Sequence, residues 1–232
     1  MSVNILAIGA HPDDIEFGCG ALLLLERQAG TEVKLLVLSR GEAASSGAPE
    51  VRERESRAAA AQLGAEIDFL DFHGDCYLEY NPQNAIRLAG EIRRAQPAIV
   101  LAPHPEANQH PDHAAAGRLV RDACRLARYG GLMDLLTLPP HRVGQLYFYD
   151  ITRHGVRPPD VVVDVSPVAG AWQQLMAIHA TQAQTKPYVE LQLAAARLLG
   201  FAIGVEYACG VYANDPVRVE HLSSITLSSR NF

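Results

Sequence analysis

Short apolar runs alternate with helix signals along most of this chain, and that alternation limits what it can fold into. Residues 3–9 read as an opening strand, and a Leu-rich stretch of helical character follows at 18–29. A second strand is expected at 32–38, where the density of Val and Leu suits burial on both faces. Pro49 and Glu50 favour the first turn of a helix over 49–63, and Gly64 stops it. The third strand is expected at 66–70. Asn81-Pro82 caps and opens a helix to about 95, and 98–102 is the fourth strand. Pro111 opens a helix toward 128. Short strands are expected at 145–149 and 161–165, with a turn near His154-Gly155 and Pro158-Pro159 between them. Ser166-Pro167 begins a long helix to about 184, and Pro187 begins the last, to about 199. Such βαβα alternation implies right-handed crossovers and a three-layer, Rossmann-like α/β fold with a mostly parallel sheet. No internal repeat, low-complexity tract or composition shift interrupts it, so residues 1–232 read as one domain.

Composition excludes several functions. A net charge of −6 argues against a nucleic-acid partner, which needs a concentrated basic face. Arg52, Arg54 and Arg57 do cluster, but Glu50, Glu53 and Glu55 interleave with them as on a solvated helix face. The cysteines at 19, 76, 124 and 209 form no C-x-x-C pair and read as reduced thiols. No apolar run approaches the ~20 residues that cross a bilayer, and no basic, cleavable leader opens the sequence. A cytoplasmic protein with no membrane partner is the expectation.

Chemistry concentrates in two clusters about a hundred residues apart, His11-Pro12-Asp13-Asp14 and His110-Pro111-Asp112-His113. Each lies just beyond an expected strand. In a parallel sheet the C-terminal strand ends share one crevice, so the two clusters can meet there. Pro12 fixes its own φ and holds His11 extended, which lets His11 and Asp14 face one point. His110 and His113 straddle a helix start at i, i+3 and share a face. Two His and one carboxylate make the open three-ligand set of a hydrolytic zinc site, with water in the fourth position. That leaves Asp13 and one His for proton transfer and oxyanion stabilisation.

At these residues the chain resembles the LmbE/PIG-L superfamily of zinc-dependent N-acetylglucosaminide deacetylases. Ala10-His11-Pro12-Asp13-Asp14 is similar to its first signature, and His110-Pro111-Asp112-His113 to its second. Ser39-Arg40-Gly41-Glu42, and Arg52-x-x-Glu55 with Ala58 and Leu63-Gly64, resemble the intervening blocks. The likeness is greatest to the branch that deacetylates N-acetylglucosaminyl malate in bacillithiol biosynthesis. It implies that His11, Asp14 and His113 hold zinc, with iron(II) as an alternative in vivo. It further implies that Asp13 is the general base and that a protonated His110 stabilises the oxyanion and can protonate the leaving amine. Arg52 would meet the substrate, and Asp112 would orient a neighbouring His from behind. Asp75 resembles an aspartate common in the bacillithiol branch, and the resemblance implies a contact with the sugar. The branch often carries Asp-Arg where Asn108-Gln109 stands here, and Tyr-Ala-Glu where Tyr207-Ala208-Cys209 stands. Relatives of this kind assemble as trimers or hexamers, and residues 132–140 offer apolar surface for it.

The remaining candidates carry weaker signals. His73 and His104 sit near strand ends, and His104 is assigned to substrate. The loops 39–48 and 72–80 are long enough to be lids or binding loops. His179 reads as a packed histidine of the long helix; Trp172, Tyr147 and Tyr149 read as core or interface. His141, His154 and His221 show no spacing. Gly18-x-Gly20 does not complete a dinucleotide fingerprint, which counts against a metal-free nucleotide binder. A sugar-binding homologue without catalysis would have no use for Asp13.

Overall fold

A computed structural model describes residues 4–106, 110–151, 157–225 and 227–229. Its elements run β1 (Asn4–Gly9), α1 (Asp14–Gln28), β2 (Glu32–Val37), α2 (Pro49–Leu63), β3 (Glu66–Phe69), α3 (Pro82–Ala95) and β4 (Ile99–Pro103). They continue with α4 (Pro111–Ala127), β5 (Gln145–Tyr149), β6 (Val161–Asp164), α5 (Ala169–Ala177), α6 (Ala180–Ala183), α7 (Tyr188–Ile203) and β7 (Ala208–Ala213). The strands form a seven-stranded sheet in the order β3-β2-β1-β4-β5-β7-β6. Pairing is parallel from β3 through β5; β7 runs antiparallel to both of its neighbours.

Period-2 alternation along buried strands builds two cores. Ile5 and Ala7 of β1 pack on one side with Ile15 and Leu23 of α1, Leu63 of α2 and Trp172 of α5. Leu6 and Ile8 pack on the other with Leu88 and Ile92 of α3 and Leu119 and Ala123 of α4. The expected three-layer α/β architecture is therefore present, with α3 and α4 on one face and α1, α2, α5 and α7 on the other.

α4 is seated unusually close to its strand. A Cβ on Gly117 would lie 2.3 Å from the Pro103 carbonyl oxygen and 2.8 Å from the Pro105 Cα. Backbone cannot yield as a side chain can. Gly117→Ala is expected to cost about 1–3 kcal/mol by overpacking, read as a lower urea midpoint. An unchanged midpoint would show that the helix can shift freely.

Two expectations are corrected. The helix expected over 166–184 is broken into a 3-10 turn at Ser166–Val168, then α5 and α6. His179 breaks it, at φ −77° and ψ 60°, where its ring is buried beside Glu16. α6 is then anchored by Thr181, whose Oγ1 and N–H donate to the Glu55 carboxylate at 2.6 and 3.0 Å. These tertiary anchors outweigh helix continuity. The last helix runs on to Ile203, where Gly204 at φ 79° caps it. β7 is not expected from the sequence, because Ala208-Cys209-Gly210 has little strand character. Of the turn expected between β5 and β6, His154-Gly155 lies outside the described residues.

Candidate active site

The strand order turns back between β1 and β4, whose neighbours lie on opposite sides. At that switch point the crossovers leave in opposite directions and open a crevice beyond the strand ends. A cavity of about 400 Å³ lies there. His11, Asp13 and Asp14 line it from the turn after β1, and His110 and His113 from the start of α4. Ala43 to Ser46, Asp75 and Cys76 come from the two long loops, and Gln182, Lys186 and Tyr188 close the far wall.

The first turn is held by its own side chains. Asp14 Oδ2 accepts the backbone N–H groups of Ala10 and His11, both at 2.8 Å. Ser39 Oγ donates to the Ala10 carbonyl at 2.8 Å, tying the turn to the end of β2. Asp13 occupies the left-handed region at φ 97°, where a non-glycine residue stores strain. Asp13 lines the cavity, and its Oδ2 lies 3.3 Å from Arg52 Nη2.

The second cluster is organised by the start of α4. Pro111 occupies the first helical position, and His110 is the N-cap, its Nδ1 accepting the Asp112 N–H at 3.2 Å. With Nδ1 as acceptor, the ring proton of neutral His110 sits on Nε2, facing the cavity. His113 points inward one turn on. Its Nε2 lies 3.2 Å from His11 Nδ1 and 3.0 Å from Asp14 Oδ1. The opposite nitrogen of His11, Nε2, lies 3.0 Å from both Asp112 Oδ2 and Asp75 Oδ1. Asp112 Oδ2 also accepts the Cys76 N–H at 2.7 Å. Asp112 thus stands behind His11, where a carboxylate fixes tautomer and ring orientation.

Fit to a metal can be tested on donor spacing. Tetrahedral zinc with bonds of about 2.0–2.1 Å separates its nitrogen and oxygen donors by about 3.3 Å. His11 Nδ1 lies 3.2 Å from His113 Nε2 and 3.6 Å from Asp14 Oδ2, Asp14 Oδ1 lies 3.0 Å from His113 Nε2, and all three residues are buried. They fit. Without a cation the cluster is strained electrostatically. Burial opposes charge on His11, yet Asp14, Asp112 and Asp75 outweigh it and hold its pKa well above the ordinary value. Burial likewise opposes ionisation of Asp14, but His113 and His11 pull it well below the usual carboxylate range. Three carboxylates converging on one imidazole is an arrangement suited to a divalent ion.

Asp13 is different. Burial raises its carboxyl to about 6, against the pull of the Arg52 guanidinium. Arg52 is buried; its Nη2 donates to the Pro12 carbonyl at 2.7 Å and lies 3.3 Å from Asp13 Oδ2. It lines the cavity, but its hydrogen bonds go to the Asp13 turn. A base must be ionised to accept a proton, and Arg52 favours that form. Arg52→Met should therefore move the acid limb of the turnover profile to higher pH. A limb that stays in place would remove Arg52 from this role.

His110 departs from the form that the resemblance implies. Burial lowers its pKa, with His11 and His113 adding to the effect. The N-cap bond already uses Nδ1, so the ring faces the cavity as a neutral Nε2–H donor. His104 does not line the cavity. It lies against Phe148 and Tyr212 with ring centroids at 6.0 and 4.9 Å, and its Nδ1 accepts the Glu106 N–H. His73 lines a shallower neighbouring depression with Glu42 and Tyr77. His179, Trp172 and Tyr149 are buried; Trp172 donates to the Glu16 carbonyl and Tyr149 to that of Ile8. Asn108-Gln109 lies outside the described residues. Sequence reasoning missed Cys76, whose Sγ lies 3.6 Å from His110 Nε2. Its neighbour Asp75 was the available signal.

The PIG-L family model, described as GlcNAc-PI de-N-acetylase, matches residues 6–124 and so takes in both clusters. The chain belongs to the PIG-L family. It is 31% identical over 193 residues to the diacetylchitobiose deacetylase of Thermococcus kodakarensis, covering 77% of this chain and 70% of that protein. A probable N-acetyl-α-D-glucosaminyl L-malate deacetylase 2 of Bacillus cereus is 25% identical, over 82% of this chain and 87% of that one. Among solved structures, the conserved protein TT1542 from Thermus thermophilus superposes with a TM-score of 0.85 at 34% identity, over 94% of this chain and 97% of that one. Several of the curated relatives are named as deacetylases of N-acetylated amino sugars, and one, from Pseudomonas putida, as a 4-oxalmesaconate hydratase. Among the described residues no helix is long and apolar enough to cross a membrane.

Proposed function

We propose that this PIG-L protein is a zinc-dependent deacetylase of a small N-acetylglucosamine conjugate, with N-acetylglucosaminyl malate as its preferred substrate. The convergence of His11, Asp14 and His113 beside Asp13 carries the reading: three metal donors plus one carboxylate that ligates nothing. Zinc is preferred to magnesium because imidazole-rich sites favour borderline metals; iron(II) would use the same ligands. Held there, the metal supplies Lewis acidity to the amide and acidifies the attacking water.

The chain's own groups account for the proton. Asp13 accepts one proton of the attacking water as the new C–O bond forms. The amide oxygen takes up negative charge within reach of His110 Nε2–H, a neutral donor already oriented by its N-cap bond. Asp13 then passes its proton to the amine nitrogen as the C–N bond breaks. The carbonyl re-forms as acetic acid leaves, its remaining proton passes to the freed amine or to solvent, and Asp13 is again a carboxylate. Its carboxyl at about 6 suits both halves of that transfer near neutral pH.

Malate as aglycone is supported by the Bacillus cereus relative and by Lys186, the lysine on the far wall of the cavity. Asp75 would contact the sugar. The cytoplasmic location and homo-oligomer implied by the resemblance belong to the same proposal, as does residues 1–232 acting as one domain.

Acetate release across a panel of N-acetylglucosaminides, with and without chelator, tests it. The malate conjugate should be turned over with the highest kcat/KM, and chelator should abolish turnover until zinc is restored. Equal rates on neutral and malate conjugates would remove the malate assignment. No acetate from any conjugate, with zinc bound, would leave a sugar binder.

A further inference from the structure

Beside the three proposed zinc ligands lies a second set of metal donors that the proposed mechanism does not fill with metal. Cys76 Sγ is 3.5 Å from Asp75 Oδ1 and 3.6 Å from His110 Nε2. The third side of that triangle, His110 Nε2 to Asp75 Oδ1, is 4.0 Å. Zinc with a thiolate at about 2.3 Å and nitrogen or oxygen at about 2.0–2.2 Å spaces such donors by about 3.4–3.6 Å. Two sides already match; the third closes when the partly exposed His110 ring gives up its N-cap bond to the Asp112 N–H.

The loop holds the thiol there against its backbone preference. Cys76 sits at φ 70°, where a side chain is strained and glycine would be relaxed. Its N–H is fixed on Asp112, and the Asp75 N–H donates to Glu42 Oε2 at 3.0 Å, so both ends of the pair are pinned. Desolvation, and then Asp75 and Asp112, raise the thiol pKa, which makes Cys76 a poor nucleophile and a poor target for oxidation. A thiophilic cation can still displace that proton into solvent.

We propose that Asp75, Cys76 and His110 form a second site of low affinity for a zinc-like divalent cation, and that filling it inhibits the enzyme. The three ligands are distinct from His11, Asp14 and His113. Binding through His110 Nε2 sends its ring proton to Nδ1, which faces the Asp112 N–H at 3.2 Å, so the N-cap bond must break. The Asp112 N–H loses its cap in that rearrangement, which keeps the affinity below that of the first site. The bound cation removes the oxyanion donor and crowds the cavity. Inhibition therefore rests on the function proposed for His110, whereas binding does not.

Protein carrying one equivalent of zinc is titrated with cadmium and with further zinc, and uptake, near-ultraviolet absorption and turnover are read together. Wild type should take a second equivalent with a thiolate-to-cadmium charge-transfer band, and turnover should fall about 100-fold as it fills, the loss expected for an oxyanion donor. Cys76→Ser and Cys76→Gly should take no second equivalent, show no band, and keep their own starting rates in excess zinc. The glycine variant also relaxes the backbone, so its folding is not at issue. A single equivalent in wild type, or a second equivalent and inhibition that survive Cys76→Ser, would overturn the site. A second equivalent with its band and undiminished turnover would uphold the site and overturn the role of His110.

Discussion

Asp13→Asn is expected to keep its metal and its fold while losing at least about 10²–10⁴-fold in kcat, the range for removing a general base. Three features make this substitution selective. Asparagine is isosteric, so it fits where the carboxylate fits. Its side chain is among the few that tolerate the left-handed region, and Asp13 lies at φ 97°. Its amide oxygen can still accept from Arg52 Nη2, so the guanidinium keeps a partner beside the Pro12 carbonyl. What it cannot do is accept a proton from water or return one to the leaving amine. The loss should fall on kcat rather than KM, because the binding walls are untouched. Metal content per chain and acetate release, measured on the same preparation, check it. Turnover near wild type would end the assignment of Asp13 as the base. Loss of metal together with activity would place Asp13 among the ligands.

Much of this site is legible in the sequence. Each cluster follows an apolar strand, and the C-terminal ends of parallel strands share an edge, so their meeting follows from pattern alone. The division of labour within the clusters is less accessible. His11 uses both ring nitrogens, one toward His113 and one toward Asp112 and Asp75, and which nitrogen faces which depends on an angle set by packing. Arg52 is a similar case. A helix pattern places it on a face, but only the fold shows its guanidinium turned back onto the Asp13 turn. His104 lies at the end of β4, yet its ring turns toward Phe148 and Tyr212, an orientation no strand-end rule contains. Cys76 is invisible for another reason: its place depends on a positive φ that residue type argues against. Helix continuity through His179 fails for the same class of cause, since Glu16 and Glu55 are far from it in sequence.

His11→Ala should produce the largest loss of all, because one ring serves two functions. On one side it is a metal donor; on the other it lies within 3.0 Å of both Asp75 and Asp112. Removing it leaves His113 and Asp14 alone as ligands and brings Asp14, Asp75 and Asp112 into a buried region with less positive charge. Metal affinity should fall far enough that purified variant carries no stoichiometric zinc, and turnover should vanish with it. Unpaired buried carboxylates are also destabilising, by about 3–5 kcal/mol where a buried pair loses one partner. Lower pH should recover part of that stability. Against burial, His113 and His11 hold Asp14 well below its usual range in the wild type, and His11 holds Asp75 at about 2. Without the ring their pKa values rise, so protonation relieves the repulsion at pH values where the wild type remains charged. The variant's melting temperature should therefore rise relative to wild type as pH is lowered from neutral toward about 5, where such carboxyls begin to titrate. Stoichiometric zinc in His11→Ala would refute the ligand set, and a stability gap that stays constant with pH would refute the carboxylate repulsion.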